Sequence, residues 1–265
     1  MQIPIFIINL EKDIEKKNHI KNLCEEYSLK CNFINAIYGA NLEDKFINLI
    51  TDKKSSINSI GRELGAGEIG CALSHIHIYK KMIKEDIEVA VILEDDIIFN
   101  EALSQIINKI EQFPKNWEII LLGYYARAFD ERISKHSFFN RKYLGNKRYL
   151  VRLIETAYGT HGYIINKKGA QKLLKIMKKI ILPIDHYTGT DKYINMYAIY
   201  PRIVYLHDKY KLQSNVLTDR DDKLDNSNKR KLLSSHKPFF KNVLKLFLSN
   251  FYITFKRFKK LKEYN

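Results

Sequence analysis

The chain has 265 residues, of which 45% are hydrophobic and 28% charged, which suits one large α/β domain with an appendage. This balance excludes global disorder, a collagen-like repeat and a disulfide scaffold. The formal net charge of +15 indicates an anionic partner, for which nucleic acid, an acidic membrane and a phosphorylated small molecule all qualify.

The first third of the chain predicts a parallel α/β unit. Residues 3–8 are mostly β-branched and apolar, which is typical of a buried strand, and residues 11–29 have apolar side chains at near-helical spacing. A second strand is predicted over 31–36. Residues 51–60 are expected to form a loop, and a glycine-containing segment then leads into a helix over 71–84.

The middle of the chain contains the clearest strand, an uninterrupted apolar run over 89–93 that indicates a central parallel strand covered on both faces. The remaining predictions are a helix over about 101–112, a strand over 117–122, a loop rich in Tyr, Arg and Lys over about 124–149, a strand around 162–165, a helix beginning at 167, and a segment dense in Tyr and Asp over 183–210.

The composition changes near residue 219. We expect a folded α/β domain over 1–218, a charged linker over 219–236 and a basic amphipathic helix over 237–265. Residues 229–265 hold eleven Lys or Arg and one Glu. Apolar residues recur there every three or four positions, namely Phe240, Val243, Leu244, Phe247, Phe251, Phe255 and Phe258. This helix is predicted to bind the anionic cytoplasmic face of the inner membrane. The alternatives are packing on the domain over 1–218 and a homodimer contact.

The cysteines and the N-terminal residues indicate in which cellular compartment the protein is expected. Cys24, Cys31 and Cys71 are odd in number and form no CxxC pair, so free thiols in a reducing compartment are expected, without a zinc site. No signal peptide is recognisable, and no run approaches the roughly 18–20 apolar residues of a membrane span. These features predict a cytoplasmic protein.

The sharpest chemical signal is the acidic triplet Glu94-Asp95-Asp96, directly after the central strand. Ligands of open α/β sheets bind beyond the carboxyl ends of the strands. Alternate residues of an extended segment point the same way, so Glu94 and Asp96 can face one ligand while Asp95 points elsewhere. Two such carboxylates suit Mg²⁺ or Mn²⁺ with a diphosphate. The alternative is a solvated strand end whose acids cap the next helix.

Two further segments carry histidines. One predicted helix holds Ser74, His75 and His77. The two histidines are two residues apart and do not share a face, whereas a helical metal pair needs a spacing of four, so no zinc site is expected there. The run Gly159–Gly162 is either a turn or a loop that presents His161 to a substrate.

Six segments occur in an order shared with a known family. They are the Ile-Asn-Leu of the first strand, AIYG (36–39), GEIGCALSH (67–75), VILEDD (91–96), GTHGYIINKKGAQKLL (159–174) and PID (183–185). Together they resemble glycosyltransferase family 25, which includes bacterial lipooligosaccharide galactosyltransferases. The resemblance implies a GT-A-like, Rossmann-type, mostly parallel sheet flanked by helices, a nucleotide-sugar donor (often UDP-galactose), a divalent metal and inversion at the anomeric carbon. Relatives usually carry arginines after the first strand, where this chain has Lys12, Lys16 and Lys17.

The resemblance places the metal on Glu94 and Asp96, with His207 as a late residue that completes the set. The general base is predicted to be Asp185, or second Asp191, in a tyrosine-rich segment. The alternatives are a helix cap for Asp185 and a surface loop for His207. The predicted substrate-binding residues are Asn9, Ser74, His75, Asp95, Thr160 and His161.

The sequence therefore predicts an inverting hexosyltransferase, dependent on Mn²⁺ or Mg²⁺, that moves galactose from UDP-galactose onto a lipooligosaccharide or other glycan. UDP-glucose and UDP-GlcNAc are alternative donors. A basic nucleic-acid-binding protein is the alternative from another class, but the charge is concentrated in the tail and no binding motif appears, so no nucleic-acid partner is expected. A metal-dependent phosphohydrolase would need further carboxylate and histidine clusters.

Overall fold

The computed structural model describes residues 3–126 and 134–213. In chain order the elements are β1 (Ile5–Asn9), α1 (Ile14–Glu26), β2 (Cys31–Asn35), α2 (Asp44–Ile50), α3 (Lys53–Ile60), α4 (Ala66–Lys84), β3 (Val89–Glu94), β4 (Ile97–Phe99), α5 (Ala102–Ile107), β5 (Ile119–Tyr125), β6 (His136–Gly145), β7 (Arg148–Leu153), β8 (Tyr158–Asn166), α6 (Lys167–Ile176), α7 (Ile184–Thr188), β9 (Met196–Tyr200) and β10 (Val204–Leu206). Short 3₁₀ turns cover Gly39–Asn41, Ile110–Gln112 and Asp208–Gln213.

Eight strands form one sheet in the order β2-β1-β3-β8-β5-β9-β7-β6. Strand β1 pairs in parallel with β2 and β3, and β5 pairs in parallel with β9. Strand β8 is antiparallel to β3 and β5, and β7 is antiparallel to β9 and β6. All strands of the sheet except β8 and β7 therefore run in one direction, which confirms the predicted α/β class with a mostly parallel sheet.

Apolar side chains cover both faces of this sheet, as the sequence of β3 predicts. Ala90 and Ile92 pack on one face against α4 and α6, whereas Val91 and Leu93 pack on the other against α1 and α5. All four are fully buried. Because β3 lies between two helical layers, it needs no polar alternation.

The expected loop over 51–60 is wrong, because most of it forms α3. The side chain of Asp52 caps this helix by accepting a hydrogen bond from the amide of Ser55 at 3.0 Å. Gly61 ends the helix in the left-handed conformation, with φ of 78°, and its N–H donates to the carbonyl of Ile57. Local capping, rather than apolar periodicity, fixes this element.

The expected loop over 124–149 is also wrong, because it contains β6 and part of β7. The two strands form an antiparallel hairpin whose turn includes Asn146 and Lys147, both with positive φ. Strand β6 is the edge of the sheet and exposes three aromatic side chains, Phe138, Phe139 and Tyr143, together with Arg141 and Lys142. Two adjacent aromatic residues and two adjacent basic residues interrupt the apolar alternation that would have indicated a strand.

The prediction that all three cysteines are free thiols needs correction. Cys24 of α1 and Cys31 of β2 form a disulfide, with their Cα atoms 6.5 Å apart. The short connection between α1 and β2 brings the two residues together, and a spacing of seven residues gave no sign of this. Cys71 takes no part in a disulfide and keeps its thiol.

The predicted linker over 219–236 and the helix over 237–265 lie outside the described residues. Among the helices that the structure describes, none combines the length and the apolar character needed to cross a bilayer.

Candidate active site at the carboxyl edge of the sheet

The acidic triplet lies where the predicted strand topology puts it, at the carboxyl end of β3. Strand β1 ends at the same edge, and the antiparallel β8 begins there. Leu93 pairs with Gly162, so Glu94 and His161 are the next residues of their two strands. Sheet pairing therefore brings together three separate segments that the sequence analysis selected.

Asp95 points toward α1, away from the face that Glu94 occupies. Its carboxylate accepts a hydrogen bond from Asn9 Nδ2 at 2.7 Å and lies 3.6 Å from Lys16 Nζ. Burial raises the pKa of Asp95, opposed by the charge of Lys16. Burial lowers the pKa of Lys16, but the carboxylates of Asp95, Asp96 and Asp13 outweigh it, so the net pKa of Lys16 is raised and the ammonium stays charged.

Glu94 faces α4. Its Oε1 lies 3.7 Å from His75 Nε2, and His75 is fully buried. The other ring nitrogen, Nδ1, is 2.7 Å from the hydroxyl of Tyr163, which in turn is 2.6 Å from the hydroxyl of Tyr79. A row of buried polar side chains, Tyr79, Tyr163 and His75, thus leads from α4 and β8 to the carboxylate of Glu94.

Asp96 has a carboxylate oxygen, Oδ1, that is buried and has no hydrogen-bond partner among the described residues. Burial, with the nearby charge of Glu94, raises the pKa of Asp96 to about 7. The backbone N–H of His207 donates to the carbonyl of Asp96 at 2.7 Å. The His207 ring stacks edge-on against His19, with centroids 4.8 Å apart. Strands β4 and β10 therefore hold His207 beside the triplet.

The donor set of Glu94 and Asp96 fits a hard divalent cation. Both groups are carboxylates, the charge of Glu94 raises the pKa of Asp96, and Asp96 Oδ1 is a buried acceptor without a hydrogen-bond donor in the described ranges. A cation such as Mn²⁺ or Mg²⁺ would be held by both carboxylates, would offset their charge and would give the unpartnered oxygen of Asp96 a partner. Within the described residues, no group of three that includes Asp96 and His207 has its ligand atoms all within 4.8 Å.

His161 is held between two glycines. A Cβ atom at Gly123 would lie 2.2 Å from His161 Nε2, and one at Gly159 would lie 2.7 Å from Nδ1. Its ring packs on Tyr125, with centroids 5.2 Å apart. Burial lowers the pKa of His161 to about 4, so its imidazole is neutral at pH 7. Its Nε2 is buried without a hydrogen-bond partner in the part of the chain that is described.

Asp185 lies in the first turn of α7, beside the start of β8. Its Oδ2 accepts a hydrogen bond from the amide of Gly159 at 3.3 Å, and its buried Oδ1 has no hydrogen-bond partner among residues 3–126 and 134–213.

Arg62 forms a bidentate pair with the buried Glu68, at 2.7 and 2.8 Å. The hydrogen bonds from Arg62 to Glu68 are the main cause of a raised pKa of Arg62. The negative charge of Asp185 raises the pKa of Arg62 further.

The remaining residues predicted for the site are Ser74, Thr160 and Asp191. Ser74 is buried, and its hydroxyl donates to the carbonyl of Gly70 and accepts from the amide of Ile37, both at 2.8 Å, so it ties α4 to the segment after β2. Thr160 lies near the start of β8. Asp191 is exposed in the turn between α7 and β9.

Three side chains at this edge were not selected from the sequence. Cys71 lies one helical turn before His75, and Tyr163 contacts His75 from β8. Arg202 stacks on the ring of Tyr125, 4.5 Å from its centroid. The spacing of four between Cys71 and His75 was a usable signal, whereas the other two contacts depend on the tertiary fold.

Comparisons with known proteins identify the family of this chain. The sequence profile of Glycosyltransferase family 25 (LPS biosynthesis protein) matches residues 2–188. Procollagen galactosyltransferase 1-B of Xenopus laevis is 29% identical over 194 residues, which cover 69% of this chain and 30% of that protein. A glycosyltransferase 25 family member of Aedes aegypti is 30% identical over 197 residues, again 69% and 30%. Procollagen galactosyltransferase 2 of Homo sapiens is 28% identical over 193 residues, covering 69% and 29%.

The chain therefore spans about 30% of the length of these curated relatives. Among solved structures it is similar to a glycosyltransferase involved in the glycosylation of the major capsid of PBCV-1. That similarity has a TM-score of 0.37 and 12% identity, and it covers 73% of this chain and 72% of the other.

Proposed function

Because the chain belongs to glycosyltransferase family 25, we propose that it is an inverting transferase that moves galactose from UDP-galactose onto a hydroxyl of a glycan. The observation that carries this proposal is the acidic triplet at the carboxyl edge of the sheet, with Glu94 beside His75 and Asp96 carrying a buried, unpartnered oxygen. Relatives that are named galactosyltransferases support the choice of sugar.

Glu94 and Asp96 would hold Mn²⁺ or Mg²⁺, which when bound supplies charge neutralisation on the departing diphosphate. Asp95 has a different role, since Asn9 and Lys16 already fix its carboxylate. It positions the Lys16 ammonium at the end of β1. Lys16 stays charged and offers a cation to the diphosphate from the α1 side, where relatives usually place arginine.

Inversion requires that the acceptor hydroxyl attack the sugar from the face opposite the diphosphate. The base must therefore come from a segment other than the triplet, and Asp185 meets this requirement. Its Oδ2 is fixed by the Gly159 amide, which leaves Oδ1 to accept the proton of the acceptor hydroxyl. The neutral imidazole of His161 fills the space beside Gly123 and Gly159 at the start of β8, and we propose that it supports the substrate-binding edge from there.

A donor panel tests the proposal. The full chain should hydrolyse UDP-galactose faster than UDP-glucose or UDP-GlcNAc in the presence of Mn²⁺, and excess chelator should remove at least about 90% of this activity because the carboxylates cannot neutralise the diphosphate themselves. Release of UDP measures the rate, and an acceptor screen with the best donor follows. Full turnover in excess chelator would contradict the metal assignment, and a faster reaction with another UDP-sugar would reassign the donor.

We also propose that the acceptor is a lipid-linked oligosaccharide such as lipooligosaccharide, met at the cytoplasmic face of the inner membrane. The sequence of residues 237–265 supports this location, since apolar residues recur there at helical spacing and lysines lie among them. The family description, which names LPS biosynthesis, supports the acceptor class.

Deletion of residues 237–265 should abolish binding to vesicles that contain anionic lipid. Each Lys or Arg near such a surface contributes about 1 kcal/mol, so the intact chain should also lose affinity steeply as salt is raised. Vesicle co-sedimentation measures both effects, with neutral vesicles as the control. Equal binding by the intact and the shortened chain would remove the tail from the proposal without affecting the active site.

A further inference from the structure

Three side chains that could bind a metal converge between α4 and β3. Cys71 and His75 are four residues apart on α4, and Glu94 ends β3. Each offers one ligand atom, and the three atoms all lie within 4.8 Å of one another. In the described ranges, no other group of three or more His, Cys, Asp or Glu side chains meets this condition. We propose that Cys71, His75 and Glu94 bind Zn²⁺, with a fourth coordination position left for a non-protein ligand.

The His75 ring is oriented for such a role. The side chain is fully buried, and its Nε2 has no hydrogen-bond partner among the described residues. The distance of 3.7 Å from Nε2 to Glu94 Oε1 is too long for a hydrogen bond. Tetrahedral ligands at zinc–ligand distances of about 2.0–2.3 Å stand roughly 3.3–3.8 Å apart. The two atoms are therefore separated as two ligands of one ion are.

The tyrosines behind His75 select the required tautomer. Both phenols are fully buried, and their hydroxyls lie 2.6 Å apart. The hydroxyl of Tyr163 can donate its own proton to Tyr79 and accept from His75 Nδ1–H. The lone pair is then on Nε2, which faces Cys71 and Glu94. Hydrogen bonding of the second ring nitrogen is the usual support of a metal-binding histidine.

The chemistry of the donors separates this site from the one proposed for Mn²⁺ or Mg²⁺. A thiolate and an imidazole favour zinc, whereas Asp96 offers oxygen alone. Cys24 and Cys31 are joined in a disulfide, so Cys71 is the cysteine that can supply a thiolate. Glu94 is common to both ligand sets, but zinc binding is measured with the metal alone and does not rest on the transfer reaction.

Cobalt substitution tests the site directly. Addition of Co²⁺ to the full chain, without reductant, should produce a thiolate-to-cobalt charge-transfer absorption that saturates at one equivalent and is displaced by Zn²⁺. Cys71→Ser should abolish this absorption, and Glu94→Gln should weaken Co²⁺ binding at least about tenfold. The matched control is His77→Gln, since His77 is exposed on the same helix and should leave the titration unchanged.

Absence of the charge-transfer absorption in the unaltered chain, or its persistence in Cys71→Ser, would overturn the proposal. Thiol labelling gives a second measurement on the unaltered chain, which holds even if the variants fail to fold. Zn²⁺ should slow the labelling of Cys71 at least about tenfold, whereas Mg²⁺ should not. Labelling that Zn²⁺ does not slow would equally overturn it.

Discussion

Replacement of Asp96 by asparagine should lower the rate of galactose transfer by roughly 10³-fold, because metal stabilisation of the leaving diphosphate is worth several kcal/mol. Asparagine keeps the shape of the side chain but removes its charge, so the cation loses one of its two carboxylates. The measurement is transfer from UDP-galactose at saturating Mn²⁺. Asp44→Asn, at an exposed aspartate in the first turn of α2, is the matched control and should retain full activity.

The same substitution should stabilise the metal-free protein at high pH, which separates loss of catalysis from loss of folding. The pKa of Asp96 is raised in the folded state from 3.8 to about 7, so the folded state binds the proton more tightly than the unfolded chain does. The contribution of Asp96 to stability is therefore present below about pH 4 and is lost as the pH rises toward 7.

An asparagine at this position cannot ionise, so in metal-free buffer the Asp96→Asn variant should melt several degrees above the unaltered protein at about pH 8 and close to it at about pH 4.5. Added Mn²⁺ should reverse the order at the higher pH, since it stabilises the unaltered protein more. Thermal unfolding measures both effects. A variant that melts far below the unaltered protein at every pH would show that lost activity reflects lost folding, and near-normal transfer would refute the metal assignment.

The parts of the fold that the sequence predicts well are those with a strong apolar period. Strand β3 lacks any polar residue before Glu94, and this indicates both its central position and the edge where a ligand binds. The elements that were missed depend on single polar contacts. Asp52 and Gly61 cap α3, and Asn146 and Lys147 form the turn of the β6–β7 hairpin. Neither the helix caps nor the hairpin turn produces a periodic pattern of apolar residues in the sequence.

The sequence predicted which segments form the candidate site, but it did not predict which side chains contact each other there. The alternation of β3 separates Asp95, which meets Asn9, from Glu94, which meets His75, as the extended geometry implied. The pairing of Glu94 with His75 could not be derived, because nothing in the local sequence fixes how α4 packs against the end of β3. The disulfide between Cys24 and Cys31 was missed for a similar reason, since it depends on how α1 packs beside β2.

Replacement of Asp185 by asparagine should lower the turnover number by about 10²–10⁴-fold and leave the affinity for UDP-galactose within about threefold, as expected for a general base that acts on the acceptor. Asparagine can still accept the hydrogen bond from the Gly159 amide through its carbonyl oxygen, so the start of β8 should keep its position. Steady-state kinetics give the turnover number, and titration calorimetry with UDP-galactose gives the affinity.

Asp191→Asn is the matched comparison, because Asp191 lies in the same segment but is exposed in a turn, whereas Asp185 has a buried oxygen at the sheet edge. Turnover should survive in Asp191→Asn. If turnover is instead lost there and retained in Asp185→Asn, the base is Asp191 and the segment after α7 must close over the acceptor. Parallel losses of turnover and donor affinity in Asp185→Asn would assign Asp185 to donor binding, because a base that contacts only the acceptor hydroxyl contributes little to the ground-state affinity for the nucleotide sugar.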